Sequence, residues 1–195
     1  MKRAPVVVVA ALLLASCSST PPPDVELIGE VHSELPTECF AGLENALSEI
    51  AGVLYNHRLP GRDRLPSTLP MRCEVEFEVR DERPGPAWRR IEVDYWLFTG
   101  TGGARTDVDA ARRLYEGTRD EVPEDRRVGL PDHPDGFSWT PGRAAVRDGN
   151  LVVQFTVAGK DRAPDLTDLP PETTRTAAAT LAAAQLRNCS PTARC

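Results

Sequence analysis

No stretch of this 195-residue chain is apolar for long enough to cross a membrane as a helix. The longest unbroken apolar run covers residues 6–15, whereas a bilayer core of about 30 Å needs about 20 residues. Positive charge is also scarce: 23 Lys and Arg stand against 29 Asp and Glu, a formal charge of −6. That deficit argues against a nucleic-acid partner, because phosphate backbones are bound by Lys and Arg that displace counterions. It argues equally against adhesion to anionic lipid by charge. Zinc knuckles of the Cys-x-x-Cys type, His-x-x-x-His and EF-hand spacing are all missing. Gly-x-Ser-x-Gly, the nucleophile elbow of many hydrolases, is missing too. The three histidines, His32, His57 and His133, fall in predicted loops and read as surface residues. These absences leave no expected metal, no cofactor and no catalytic residue.

What is present begins at the N-terminus. Lys2 and Arg3 precede the apolar run, which ends in Leu14-Ala15-Ser16-Cys17. A short basic start, a short apolar core and small residues at the end describe a secretory signal. Leu-Ala-Ser-Cys resembles the lipobox of bacterial lipoproteins. The resemblance implies cleavage before Cys17, acylation of its sulfur and anchoring at the extracytoplasmic face of the cell membrane. Residues 1–16 are then a signal peptide, and residues 17–35 a lipidated, Ser/Pro-rich tether. Residues 36–195 form a single extracytoplasmic domain. Loss of Lys2 and Arg3 takes the formal charge to −8.

Four further cysteines remain: Cys39, Cys73, Cys189 and Cys195. An even number in an exported chain reads as two disulfides, for which three pairings exist. The preferred pairing is Cys39–Cys73 and Cys189–Cys195. The first would tie a helix to a strand, and the second would close a short C-terminal loop.

Phe40, Leu43, Leu47, Ile50 and Leu54 recur at helical spacing, which predicts a helix over residues 36–54. Cys73, Val75, Phe77 and Val79 alternate with Glu74, Glu76 and Glu78, the pattern of a half-buried antiparallel strand. Cys73 lies on the apolar face, where a helix would pack. A second strand over 91–97 follows a Pro/Gly turn and completes a hairpin. Thr106-x-x-Asp109 resembles a capping box, so a second helix is expected to start at Thr106. A short strand is the most that residues 121–139 offer, near 127–130. A second hairpin turns at Asp148-Gly149-Asn150. An Ala-rich helix over 172–188 closes the chain. The order α-β-β-α-β-β-α predicts an α/β chain of the α+β class. It would be an antiparallel sheet of about four to six strands, tied by disulfide, with the helices on one face.

Four features are candidates for function, each with a plainer reading beside it. A hairpin centred near Gly85 would set Glu78 opposite Glu92 and Glu76 opposite Asp94. Opposed like charges destabilise a sheet, so Glu74, Glu76, Glu78, Glu92 and Asp94 are a possible acidic docking face for a cationic partner. The plainer reading is a solvated face neutralised by arginines, with Arg143 and Arg147 on the outward side of the other hairpin. Gly100-Thr101-Gly102-Gly103 sits where a phosphate loop would, but Arg105 replaces the third fingerprint glycine and the adjacent helix start is acidic. It reads as a connector. Asp132, His133 and Asp135, with Asp161, Asp165 and Asp168, read as turn formers before metal ligands. Trp88, Trp96 and Trp139 either cover the sheet or line a pocket.

Taken together, the chain resembles small actinobacterial envelope lipoproteins of unknown function, some of which share an extracellular fold with the sensor domains of membrane serine/threonine kinases. The resemblance rests on the lipobox, Cys39 early in the first helix and Cys73 opening the first strand. The hairpin over 144–157 and the Ala-rich last helix complete it; the Cys189 and Cys195 pair has no counterpart. It implies a disulfide-tied domain that binds an envelope ligand or protein partner, with no catalytic residue to carry over. The expected function is a membrane-anchored, non-catalytic binding or sensing module. The alternatives are an envelope enzyme whose polar groups converge only in three dimensions, or a carrier of an apolar ligand.

Overall fold

The computed structural model describes residues 32–36, 38–58, 71–79, 84–100, 103–131, 133–162 and 165–188. Cys17, the signal and tether through residue 31, Cys189 and Cys195 lie outside the described residues.

Helix α1 (Glu44–Ala51) runs into a 3₁₀ segment, Gly52–His57. Strands β1 (Met71–Glu78) and β2 (Gly85–Leu97) form the first hairpin. Helix α2 (Ala104–Asp120) follows, then β3 (Arg127–Leu130), β4 (His133–Trp139), β5 (Arg143–Asp148), β6 (Leu151–Arg162), β7 (Leu166–Asp168) and α3 (Pro171–Asn188). The class is mixed α+β: one antiparallel sheet of seven strands with three α-helices and the disulfide Cys39–Cys73. The strand order is β1-β2-β6-β5-β4-β3, and β7 adds to β6.

The sheet exceeds the expected four to six strands because β4 and β7 carry weak strand signals. His-Pro-Asp-Gly opens β4, and β7 is three residues long. The first helix is shorter than its apolar spacing predicts. Gly42, at φ 75°, precedes it, and Gly52, at φ 54°, ends it. Glycine takes this left-handed conformation without steric cost, and it breaks helices. The apolar face nevertheless survives, since Phe40, Leu43, Leu47 and Leu54 are all buried. Helix α2 starts two residues before Thr106, whose N–H already bonds to the Gly103 carbonyl. Thr106 is therefore not its cap. Instead the Asp107 carboxylate accepts the Gly100 N–H at 2.8 Å and ties the first turn to the preceding loop.

The placement of all helices on one face is corrected. Helices α1 and α3 cover one face, over Val75, Phe77, Ile91, Val93, Tyr95, Val153 and Phe155. Helix α2 lies on the other, where Ala111 and Tyr115 meet Phe137, Trp139, Ala145 and Val152. The physical reason is visible in the strands. β5 and β6 carry consecutive buried residues, Ala144-Ala145-Val146 and Leu151-Val152-Val153, which require cover on both sides. β1 alternates strictly, and its outer face is open.

The Cys39–Cys73 bridge, with Cα atoms 5.7 Å apart, joins the segment before α1 to the fully buried start of β1. Beside it the Tyr95 hydroxyl donates to the Cys39 carbonyl at 2.9 Å. Desolvation pushes the Tyr95 phenol well above its ordinary pKa.

Candidate functional site

The outer face of the sheet has two unlike halves. The β1–β2 half carries Glu74, Glu76, Glu78, Glu92 and Asp94, as expected, but the pairing differs. The register places Glu78 opposite Trp88, Glu76 opposite Arg90 and Glu74 opposite Glu92, so the hairpin centre lies two residues before Gly85. The shift brings Arg90 into the middle of the acids. Its Nη2 lies 2.8 Å from Glu74 and 2.6 Å from Glu92, and its Nε lies 4.0 Å from Glu76. Burial alone would lower the Arg90 pKa; Glu92, Glu74 and Glu76 outweigh it and raise the pKa above its ordinary value. Arg72 grips Asp94 with two nitrogens, the Nη2 bond at 3.0 Å. That hydrogen bonding and the Asp94 charge raise the Arg72 pKa as well. The neutralising arginines are thus Arg72 and Arg90, within the same hairpin. Arg147 instead bonds to Asp135 at 2.6 Å, on the far half of the sheet.

Under α2 that far half holds a cleft of about 510 Å³. Strand geometry supplies its floor. Trp139 and Arg143 are cross-strand partners on either side of the β4–β5 turn, and Gln154 lies one row away on β6. The turn depends on Gly142, at φ 54°. A Cβ there would come within 2.2 Å of the Val157 carbonyl oxygen. Helix α2 and the two residues after it supply the wall: Arg113, Gly117 and the C-cap Glu121 recur every four residues, with Leu114, Thr118 and Val122 beside them. The Gln154 amide donates to the Thr118 hydroxyl at 3.0 Å, which fixes the wall to the floor. Trp139 is 8% exposed and stacks on Phe137 with ring centroids 5.0 Å apart. Tyr115 packs edge-on against Phe137. Burial first, and then the Asp135 charge, pushes its phenol up to about 12. A smaller groove of about 430 Å³ lies between α1 and α3, beside Ile50, Arg89, Leu169 and Ala177.

Most remaining sequence candidates have structural duties. His32, exposed only 9%, lies 3.1 Å from Asp148. His57 ends the 3₁₀ segment and His133 opens β4, so these two are on different elements. Asp135, Asp161 and Asp168 pair with Arg147, Arg89 and Lys160 respectively. Asp132, Thr101 and Gly102 lie outside the described residues. Among the described residues no three His, Cys, Asp or Glu side chains gather as a metal site would require. Nor is any helix among them long and apolar enough to cross a membrane.

Of the three tryptophans, Trp139 lines the cleft, while Trp96 packs beneath α2 at the edge of the smaller core. Arg113, Glu121 and Gln154 carry no signal in the sequence, because their convergence depends on α2 crossing the sheet. The one local hint is Gly117 within a helical pattern, where glycine is unfavourable relative to alanine. The chain matches no protein-family model, no curated protein and no solved structure.

Proposed function

We propose that this chain is a lipid-anchored binding module on the extracytoplasmic face of a cell membrane, tethered through Cys17, with the cleft beneath α2 as its binding site. The observation that carries the reading is the Cys39–Cys73 disulfide, whose Cys73 is fully buried. Structural disulfides belong to oxidising compartments outside the cytoplasm, which agrees with the Leu14-Ala15-Ser16-Cys17 signal. For the binding role, the cleft has a volume in the range of small-ligand sites, and its lining is more polar than apolar. The carrier alternative needs a large cavity between sheet and helices. The layer under α1 and α3 is filled by Phe77, Tyr95, Phe155, Leu43, Leu54 and Leu181, each fully buried or nearly so, and the cleft under α2 has a largely polar lining.

The test is metabolic labelling of the full chain with a palmitate analogue, followed by membrane fractionation. The wild type should be labelled and sediment with membranes, and Cys17→Ala should lose both properties. An unlabelled wild-type chain in the soluble fraction would overturn the anchoring. Turnover of an envelope substrate, abolished by a point substitution in the cleft, would replace the binding role with the enzyme alternative.

A further inference from the structure

The cleft's own chemistry narrows what it would hold. Arg113 on α2 and Arg143 on β5 are its two cations, and neither makes an ion pair among the described residues. Arg72, Arg89, Arg90, Arg147 and Arg175 hold carboxylates; Arg113 and Arg143 are exposed, and they alone of the described arginines line this cleft. Guanidinium groups left facing one cavity are suited to an anion, which they bind through charge-assisted hydrogen bonds. Opposing them is one carboxylate, Glu121, so the cleft carries a net charge of about one. A single negative charge balances it. A dianion would face repulsion from Glu121 and from the acidic half of the same sheet face.

Apolar surface accompanies the charge. Trp139 and Val122, each 8% exposed, line the cleft beside the half-buried Leu114 and give a hydrophobic body its contact. Gly117 keeps the space above that wall open: a Cβ built there meets nothing within 4 Å. No packing contact therefore requires a glycine in the middle of a 17-residue helix, where glycine is destabilising relative to alanine. Room for a ligand is a reason for it.

We infer that the cleft binds a monocarboxylate with an apolar or aromatic body, its carboxylate held by Arg113 and Arg143 and its body laid against Trp139. This deepens the binding reading above and rests on it. Two sources share this chemistry, a free carboxylic acid and the C-terminus of a peptide.

The experiment is calorimetric titration of the full chain in detergent with 3-phenylpropanoate and with the tripeptide Ala-Ala-Phe. The controls are the corresponding C-terminal amides and inorganic phosphate. At least one acid should bind about tenfold or more tightly than its amide, because a hydrogen bond to a charged group contributes about 1.5–3 kcal/mol. Whichever acid binds more tightly names the source. Arg143→Gln should remove the preference for acid over amide. Gly117→Leu should block binding of both, with a thermal melt confirming that the variant is folded. Equal affinity for acid and amide, equal affinity for phosphate, or no binding at millimolar concentration would overturn the inference. If it fails while Cys17 is still palmitoylated and a different molecule occupies the cleft, the ligand class falls and the anchored binding module stands.

Discussion

Asn150 holds His32 by both of its backbone groups. The His32 N–H donates to Asn150 Oδ1 at 2.7 Å, and Asn150 Nδ2 donates to the His32 carbonyl at 2.9 Å. The same Nδ2 also reaches the Phe98 carbonyl at 2.8 Å. Asn150 is fully buried in the two-residue turn between β5 and β6. The segment leading into the domain is thereby clamped to the end of the sheet, and the His32 ring adds its contact with Asp148.

Asn150→Ala should cost about 2–4 kcal/mol, because two buried carbonyls and one N–H lose their partner together. Denaturant unfolding measures the loss. Hydrogen exchange should show faster exchange at His32, with little change at the far end of β6. A uniform change across the sheet would mean that the turn is not a local clamp.

The disulfide makes a larger contribution. It closes a loop of 34 residues between the pre-helical segment and β1, and losing such a bridge from a small domain costs about 2–5 kcal/mol. Cys39→Ala should therefore lower the melting temperature by roughly 5–20 °C. Reductant should lower the wild type by a similar amount and leave the variant unchanged.

Arg90 sets its single charge among three glutamates on a partly exposed surface, so its contribution is modest and screened by solvent. Arg90→Gln should cost about 0.5–1 kcal/mol at low salt, with Glu74 and Glu92 then directly opposed and unscreened. Raising the ionic strength should recover most of the loss, as read from thermal melts across a salt series. A salt-independent loss would indicate packing of the arginine stem.

Alkaline pH provides another check. Burial raises the phenol pKa of Tyr95, and that of Tyr115 to about 12, so the folded state keeps protons that the unfolded state releases near pH 10. The stabilisation is full below pH 10. It falls as pH rises toward the folded pKa, by at most about 1.4 kcal/mol per pH unit for each tyrosine. Tyr115→Phe should flatten the fall between pH 10 and 12, measured by urea unfolding at each pH.

Much of the fold was legible because hydrophobic period is a local property. The strict alternation from Cys73 to Val79 marked β1, its open outer face and the pairing partner of Cys39. The Asp148-Gly149-Asn150 turn marked the β5–β6 hairpin. The hairpin centre was missed by two residues and the cross-strand pairing by four, because the turn after Glu78 has no sharp local signature such as Asn-Gly. The error mattered, since the true register inserts Arg90 among the glutamates. The candidate site was barely legible. Trp139 was named as a possible pocket residue and Arg143 as an outward-facing arginine, yet nothing local relates either to Arg113 or Glu121.

What this sequence determined by itself was the mixed class, the order of the three helices and the two hairpins, the Cys39–Cys73 disulfide and the acid-rich face of the first hairpin. Each follows from composition or from residue spacing within one or two neighbouring elements. Only the tertiary structure decided which face α2 would cover, which carboxylates Arg90 would meet and which polar groups would surround the cleft. Those outcomes depend on long-range packing. The apolar back faces of β4, β5 and β6 draw α2 across the sheet, and that crossing brings residues 113–122, in α2 and just after it, against positions 139, 143 and 154 of three strands.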